Sequence, residues 1–253
     1  MTTHAISDTA ALTGRSLRHI LRSPDTIVTT AVMPIAFLLL FAFVLGGAID
    51  VGDAAYVDYL LPGILLITVA SGVAYASYRL FLDLQGGIVE RFQSMPIARS
   101  SVLWAHVLTS IVANLVSLAV VVGAALLMGF RSPAGIGEWL AVVGILALCT
   151  LALTWVAVIA GLTARSVDGA SAFSYPLILL PFVSSAFVPT DSMPGPVRWF
   201  AEHQPVTAIV DALRALLAGD PVGVELWIAL AWMLGVLALA ATVATVLYRR
   251  RVR

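Results

Sequence analysis

The chain contains no lysine: its fourteen basic residues are all arginine. A phosphate-binding loop of the Walker A type needs a lysine to reach the β- and γ-phosphates. The chain therefore cannot carry one, and any ATP used in its work must be hydrolysed by another chain. Cysteine is almost absent too. Cys149, the only one, lies inside an apolar run, so it offers no internal disulfide and no cysteine-cluster metal site and reads as a small buried hydrophobe. Charge is scarce. Charged residues make up 11% of the chain and hydrophobic ones 60%, where soluble domains have about 25% and about 45–50%. That balance excludes an ordinary soluble domain and makes a bilayer-spanning protein the expected class. The motifs of enzymes are also missing. There is no His-Glu-x-x-His and no Gly-x-Ser-x-Gly, and His4, His19, His106 and His203 are too scattered for a local metal motif. No metal, no bound cofactor, no catalytic residue and no nucleic-acid partner is expected.

Six hydrophobic runs are present, near 26–48, 56–78, 102–128, 139–162, 170–188 and 225–248. A span needs about 20 residues to cross a core of about 30 Å, so the expectation is an all-α polytopic protein with six transmembrane helices. The fifth run is the shortest and contains Pro176 and Pro181. Proline removes a backbone donor and is tolerated in a span only where neighbours satisfy the freed carbonyls, which predicts a kinked helix packed inside the bundle. No signal-type cleavage site follows a short apolar core near the start, so the first run is expected to be retained. No linker or repeat is visible, which predicts a single membrane domain over 1–253.

The arginines orient the spans. Arg15, Arg18, Arg22, Arg79, Arg91, Arg99, Arg165, Arg249, Arg250, Arg251 and Arg253 fall on one side, against Arg131, Arg198 and Arg214 on the other. Basic residues concentrate in cytoplasmic loops, so both termini are expected in the cytoplasm. Asp50, Asp53 and Asp58 then lie toward the outside. Before the first span, Ala10, Leu17, Ile20 and Leu21 share one helical face and Arg15, Arg18 and Arg22 nearly the opposite one. That pattern predicts an amphipathic helix within 1–25, lying in the membrane plane. Inside the spans ionisable groups are nearly missing. His106 reads as an interfacial residue and Asn114 as an interhelical hydrogen-bonding one.

Two connecting segments hold the remaining information. The cytoplasmic loop over 82–101 places Glu90 and Arg91 between Ile88, Val89 and Phe92, with Met95-Pro96 after them. A short amphipathic helix offering an apolar knob and charges to a partner fits this pattern; an ordinary loop with an interfacial Phe is the alternative. The outer segment, over 189–224, mixes prolines and apolar residues with a few charges. Pro194, Pro196 and Pro205 prevent one continuous helix, which predicts two short helices, about 196–203 and 206–218, that dip in and return without crossing. Trp199 and Phe200 suit the membrane interface. A catalytic pair formed by Glu202 and Asp211 is the enzymatic alternative, and a peripheral lid the structural one.

The order Phe187-x-Pro189, Met193-Pro194, Trp199-Phe200, Gln204-Pro205-Val206-Thr207 and Asp211-Ala212-Leu213-Arg214 resembles the last outward-facing segment of one family. That family is the membrane (permease) subunit of ATP-binding-cassette exporters, type 2, of the daunorubicin-resistance kind. The resemblance runs over essentially the whole chain and departs at His203-Gln204-Pro205, where many relatives have Asn before the Pro. It implies that Gly87, Glu90, Arg91, Phe92 and Pro96 form a coupling helix docked on the ATPase. It implies an in-plane helix carrying Arg15, Arg18 and Arg22. It also implies re-entrant helices at the exit, carrying Phe187, Pro189, Trp199, Phe200, Pro205, Asp211 and Arg214. The implied partners are two copies of a separate ATPase subunit, which bind the ATP and Mg, together with a second copy of this chain and the lipid bilayer. The implied setting is the bacterial cell membrane. The implied activity is ATP-driven export of a hydrophobic or amphipathic drug, antibiotic or lipid. Export of a polysaccharide or teichoic acid is the alternative within the class, and a membrane-embedded enzyme or non-transport subunit the alternative outside it.

Overall fold

The computed structural model describes residues 24–46, 55–86 and 99–251. Among them there are helices and turns and no strand. The chain is an all-α polytopic membrane protein. Four helices are long and apolar enough to cross a bilayer, over Tyr56–Gln85, Leu103–Leu127, Ile136–Thr163 and Val224–Tyr248, with shorter apolar stretches at Thr30–Val44 and Val167–Val183.

Helix α1, Pro24–Leu40, runs into a π-helical turn at Phe41–Leu45. Helices α2, Tyr56–Gln85, and α3, Arg99–Leu127, follow. At 30 and 29 residues they are about 45 Å long at 1.5 Å per residue, more than the hydrocarbon core of about 30 Å requires. Both therefore outlast the apolar runs that mark them in the sequence, and Arg79 and Asp83 are helical. Helix α4, Ile136–Thr163, and the last helix, α9, Val224–Arg251, complete the long elements.

Helix α2 is the axis of the bundle. Of its apolar stretch 78% is buried inside the chain, against 17% for α9. It packs on α1, α3 and α4, and its Leu60, Leu61, Ile64, Leu65, Ile67, Val69 and Val73 are fully enclosed. Between bilayer helices there is no gain from leaving water, so close packing and hydrogen bonds must supply the contact. Both are visible. The Thr30 and Ser117 hydroxyls lie 2.8 Å apart and join α1 to α3. Asn114 of α3 fills the notch left by Gly72, where an added Cβ would sit 2.2 Å from its Oδ1.

The fifth apolar run is not the kinked helix expected over 170–188. It is broken into α5, Val167–Ala172, α6, Ser174–Leu179, and a 3-10 turn, Leu180–Val183. Beyond the turn Ser184 is extended (φ −137°, ψ −175°). Pro181 lacks the N–H that would continue the helix, and the chain does not resume a helical path until 190. Ser166 caps α5 by accepting a hydrogen bond from the Gly169 N–H at 3.1 Å. The Ser77 hydroxyl donates to the Ala170 carbonyl at 2.6 Å and fixes α5 to α2.

Two short helices follow, α7, Gly195–His203, and α8, Pro205–Ala218. Their starts fall where proline stands in the first turn, a position at which its missing N–H costs nothing. Gly219 ends α8 in the left-handed conformation (φ +71°), the usual glycine stop. Helix α8 packs against α9, α4 and α2, so it is buried within the bundle. The in-plane helix with Arg15, Arg18 and Arg22, and the coupling segment with Gly87, Glu90, Arg91, Phe92 and Pro96, lie outside the described residues.

Candidate functional site

An unwound stretch of backbone inside a bilayer protein poses one problem: its carbonyls and N–H groups need partners that a helix would have supplied. Between Leu180 and Phe187 the 3-10 turn and Ser184, whose hydroxyl donates to the Pro181 carbonyl at 2.6 Å and accepts from the Ala186 N–H at 3.1 Å, supply some of those partners, and side chains from two other parts of the chain supply others. From α2, the Tyr56 hydroxyl donates to the Phe187 carbonyl at 3.2 Å and the Tyr59 hydroxyl donates to the Ser185 carbonyl at 2.9 Å. From the junction of α7 and α8, Gln204 Nε2 donates to the Val183 carbonyl, and to that of Leu180 at 3.4 Å.

Ser185 is the centre of this arrangement, because each of its polar atoms is engaged. Its N–H donates to Thr207 Oγ1 at 3.4 Å, and its hydroxyl donates to Asp211 Oδ1 at 2.6 Å. Its carbonyl accepts from Tyr59 and, at 2.7 Å, from Arg214 Nη2. Arg214 also donates from Nη1 to Asp211 at 2.7 Å and reaches the Tyr59 carbonyl at 3.3–3.4 Å. Its guanidinium carbon stands 4.0 Å from the Tyr59 ring centre, a cation–π distance. Asp211 and Arg214 are three residues apart, hence on one face of α8. The pair is partly enclosed, with side chains 34% and 23% exposed, while Ser185, whose carbonyl it holds, is buried.

Beneath the polar groups the packing is aromatic. Phe187 stacks on Phe41 at 4.7 Å and on Phe182 at 4.8 Å, and Phe182 meets Phe37 edge-on at 5.5 Å. The π turn at Phe41 thereby joins the unwound stretch. Gly63 allows the approach to α2, since a Cβ there would lie 2.6 Å from that of Ala186.

Not every residue singled out in the outer segment belongs to this cluster. Phe187, Asp211 and Arg214 do. Pro205 opens α8, and Pro189 precedes a single 3-10 turn, Thr190–Ser192. Trp199 and Phe200 are exposed on α7, where Trp199 stacks on His203 at 4.8 Å. Arg198 there binds Asp191 at 2.6 Å and Glu202 at 2.7 Å. The hydrogen-bonded Glu202 carboxylate holds the Arg198 guanidinium above its ordinary pKa. Such exposed pairs add little stability. Glu202 and Asp211 sit in separate ion pairs, and among the described residues no three His, Cys, Asp or Glu side chains are placed to hold a metal. Tyr56, Tyr59, Ser185, Gln204 and Thr207 are members that the sequence reading did not single out as site residues. A signal existed for four of them: Tyr56 and Tyr59 are one turn apart at the start of an apolar run, and Gln204 and Thr207 fall in the Gln204-Pro205-Val206-Thr207 order that carries the family resemblance. Asn114 departs from expectation, because its buried amide makes no hydrogen bond among the described residues.

Comparison with known proteins follows the same lines. The model of the family described as ABC-2 type transporter matches residues 7–218. A daunorubicin resistance ABC transporter permease protein of Streptomyces coeruleorubidus is 28% identical over 254 residues, covering 98% of this chain and 88% of that protein. A probable doxorubicin resistance ABC transporter permease protein of Mycobacterium tuberculosis is 28% identical over 249 residues, covering 97% of this chain and 89% of that protein. A putative transport permease of Porphyra purpurea is 24% identical over 215 residues, covering 83% of this chain and 73% of that protein.

Proposed function

Because the chain belongs to the ABC-2 type transporter family, we propose that it is the membrane subunit of an exporter that moves a hydrophobic or amphipathic molecule, of the drug, antibiotic or lipid class, out of the cytoplasm or the inner leaflet. The observation that carries this reading is the break in the helix at Leu180–Phe187, a 3-10 turn followed by non-helical backbone to which side chains from elsewhere in the chain are bonded. Irregular backbone at membrane depth occurs where protein encloses it or a passage runs beside it. A stretch clamped by side chains can be rearranged without unfolding a long helix. The scarcity of ionisable groups in the central portions of the long helices suits an apolar cargo.

The energy comes from a separate ATPase subunit, since this chain has no lysine for a phosphate loop. ATP and Mg are bound there, and two such subunits serve two copies of this chain. The length of α2 and α3 beyond a bilayer core supports a docking site at their linked inner ends. Gly87, Glu90, Arg91, Phe92 and Pro96 form the coupling helix there, and Arg15, Arg18 and Arg22 rest against the head groups nearby. Both termini are cytoplasmic, in a bacterial cell membrane.

The test is co-expression of the chain with an ABC ATPase subunit encoded beside it, in a drug-sensitive host loaded with daunorubicin. The expected result is a complex that purifies with both chains and a lowered cellular content of the drug, lost when the ATPase is inactivated. Failure of the ATPase to assemble with the inserted chain would remove the exporter reading. An assembled, ATP-hydrolysing complex that leaves every amphipathic drug tried at its resting level would remove the proposed cargo class alone.

A further inference from the structure

We propose that Arg214 is a positioning residue that latches the outer exit shut, and that its bonds to Ser185 and Tyr59 break each time the exit opens. The inference rests on the exporter reading, in which the unwound stretch borders the exit. Four observations lead to it.

The first is connectivity. Arg214 of α8 holds the Ser185 carbonyl in the unwound stretch, the Tyr59 carbonyl and ring in α2, and Asp211 in its own helix. One side chain thus joins three elements that the backbone does not hold together at this point.

The second is the state of the clamped backbone. Ser184 is extended and the N–H, hydroxyl and carbonyl of Ser185 are each bonded to side chains, so side chains hold its path. Releasing Arg214 removes a charged donor from Ser185 without exposing a helix interior.

The third is what stands beneath. Phe187, Phe182 and Phe41 are stacked, and Ala186 is pressed on Gly63. This is an apolar cluster, and the cluster and the Ser185 carbonyl held by Arg214 belong to one short segment. Moving Ser185 moves both.

The fourth is access. Arg214 and Asp211 are 23% and 34% exposed. The pair is therefore not sealed inside the chain, whereas a wholly buried ion pair would be held shut by the cost of parting two bare charges.

A purely structural role predicts that Arg214 substitutions lower stability and nothing else. The latch predicts a change in the resting exposure of the segment it holds. Ser184 is 1% exposed and close in size to cysteine, so Ser184→Cys in a Cys149→Ala background is the reporter. A membrane-impermeant maleimide is applied from outside to the inserted chain. We expect slow labelling in the parent, labelling about tenfold faster or more with Arg214→Gln, and an intermediate rate with Arg214→Lys, given the size of a charged hydrogen bond. Should Arg214→Gln fail to insert, Tyr59→Phe removes one hydroxyl from the Ser185 carbonyl and is read in the same way. A second arm joins the segment to α8. In Ser185→Cys with Thr207→Cys, positions brought together where the Ser185 backbone N–H donates to the Thr207 hydroxyl at 3.4 Å, the disulfide formed on oxidation and confirmed by a gel shift should stop export without dissociating the ATPase, and a reductant should restore it. Equal labelling of the folded variants and the parent, or export that continues through the cross-linked pair, overturns the latch. Because labelling is read on the chain without its ATPase, failure of the latch is distinguishable from failure of the exporter reading, which shows as lost assembly.

Discussion

The guanidinium of Arg214 lies 4.0 Å from the centre of the Tyr59 ring, and the hydroxyl at the far end of the same tyrosine donates to Ser185, whose carbonyl Arg214 also holds. Tyr59 therefore acts twice on one neighbour, by its face and by its tip. The two actions separate by substitution. Tyr59→Phe keeps the ring and loses one hydrogen bond, a loss of about 1 kcal/mol. Tyr59→Leu also loses the cation–π contact, so its cost should rise to about 2–3 kcal/mol. Thermal unfolding of the purified chain in one detergent checks the order. Equal effects of the two changes would show that the ring face contributes nothing.

Gln204 spans the gap between the α7–α8 junction and the carbonyls of Val183 and Leu180. Asparagine at this position is one methylene shorter and cannot reach both. We expect Gln204→Asn to destabilise the chain by about 1–2 kcal/mol, close to Gln204→Ala, because a part-buried carbonyl loses its donor. A melting temperature for Gln204→Asn equal to that of the parent would mean that the bond is dispensable.

Asn114 and Gly72 offer the opposite sign. A buried amide without partners carries its desolvation cost uncompensated, and an apolar side chain of similar shape removes that cost. Asn114→Leu is expected to raise stability by about 1 kcal/mol, seen as a higher unfolding temperature. Gly72→Ala should lower it by about 1–3 kcal/mol through overpacking. Combining Gly72→Ala with Asn114→Ala should recover most of that loss, since the two residues share one space. Strict additivity in this double-mutant cycle contradicts the notch.

For the cytoplasmic side, Phe92→Ala with Arg91→Ala should leave insertion intact and weaken ATPase binding. Interfaces concentrate their energy in a few aromatic and arginine anchors of about 2 kcal/mol or more each. Losing both should lower affinity by about two to three decades. Co-purification at several ATPase concentrations measures this. Unaltered binding would assign the loop no coupling role.

The ends of α7 and α8 were legible in the sequence because proline and glycine mark them chemically. Pro196 and Pro205 stand in first turns and Gly219 takes a positive φ, and the helices start within one residue of the expected 196 and 206. The long spans were legible from hydropathy, although α2 and α3 outrun it, since a helix stops where its hydrogen bonds stop and not where its apolar residues do. The unwinding at Leu180–Phe187 was not legible. Pro176 and Pro181 announce a disturbance, yet a kink and a break look alike until the partners of the freed carbonyls are known. Those partners, Tyr56 and Tyr59, stand 131 and 126 positions away along the chain. Asp211 and Arg214 were visible as a polar pair in an apolar helix. Ser185 was hidden in a run of small and apolar residues.

The π turn at Phe41–Leu45 has a consequence for the register of α1. Such a turn accommodates one residue more than an α-helical turn, and each residue advances the helix by about 100°. Leu38 is fully buried and Phe41, three residues on and about 60° round the helix, meets Phe187, while Phe43 points away and is 74% exposed. The extra residue is thus taken up just after Phe41, the last position that the buried face of α1 and the aromatic cluster share. Deleting one residue inside the turn would tighten it to ordinary winding and shift the residues that follow by about 1.5 Å along the axis, against a cluster whose place Phe41 fixes. For this segment, the number of residues is as much a specification as their identity.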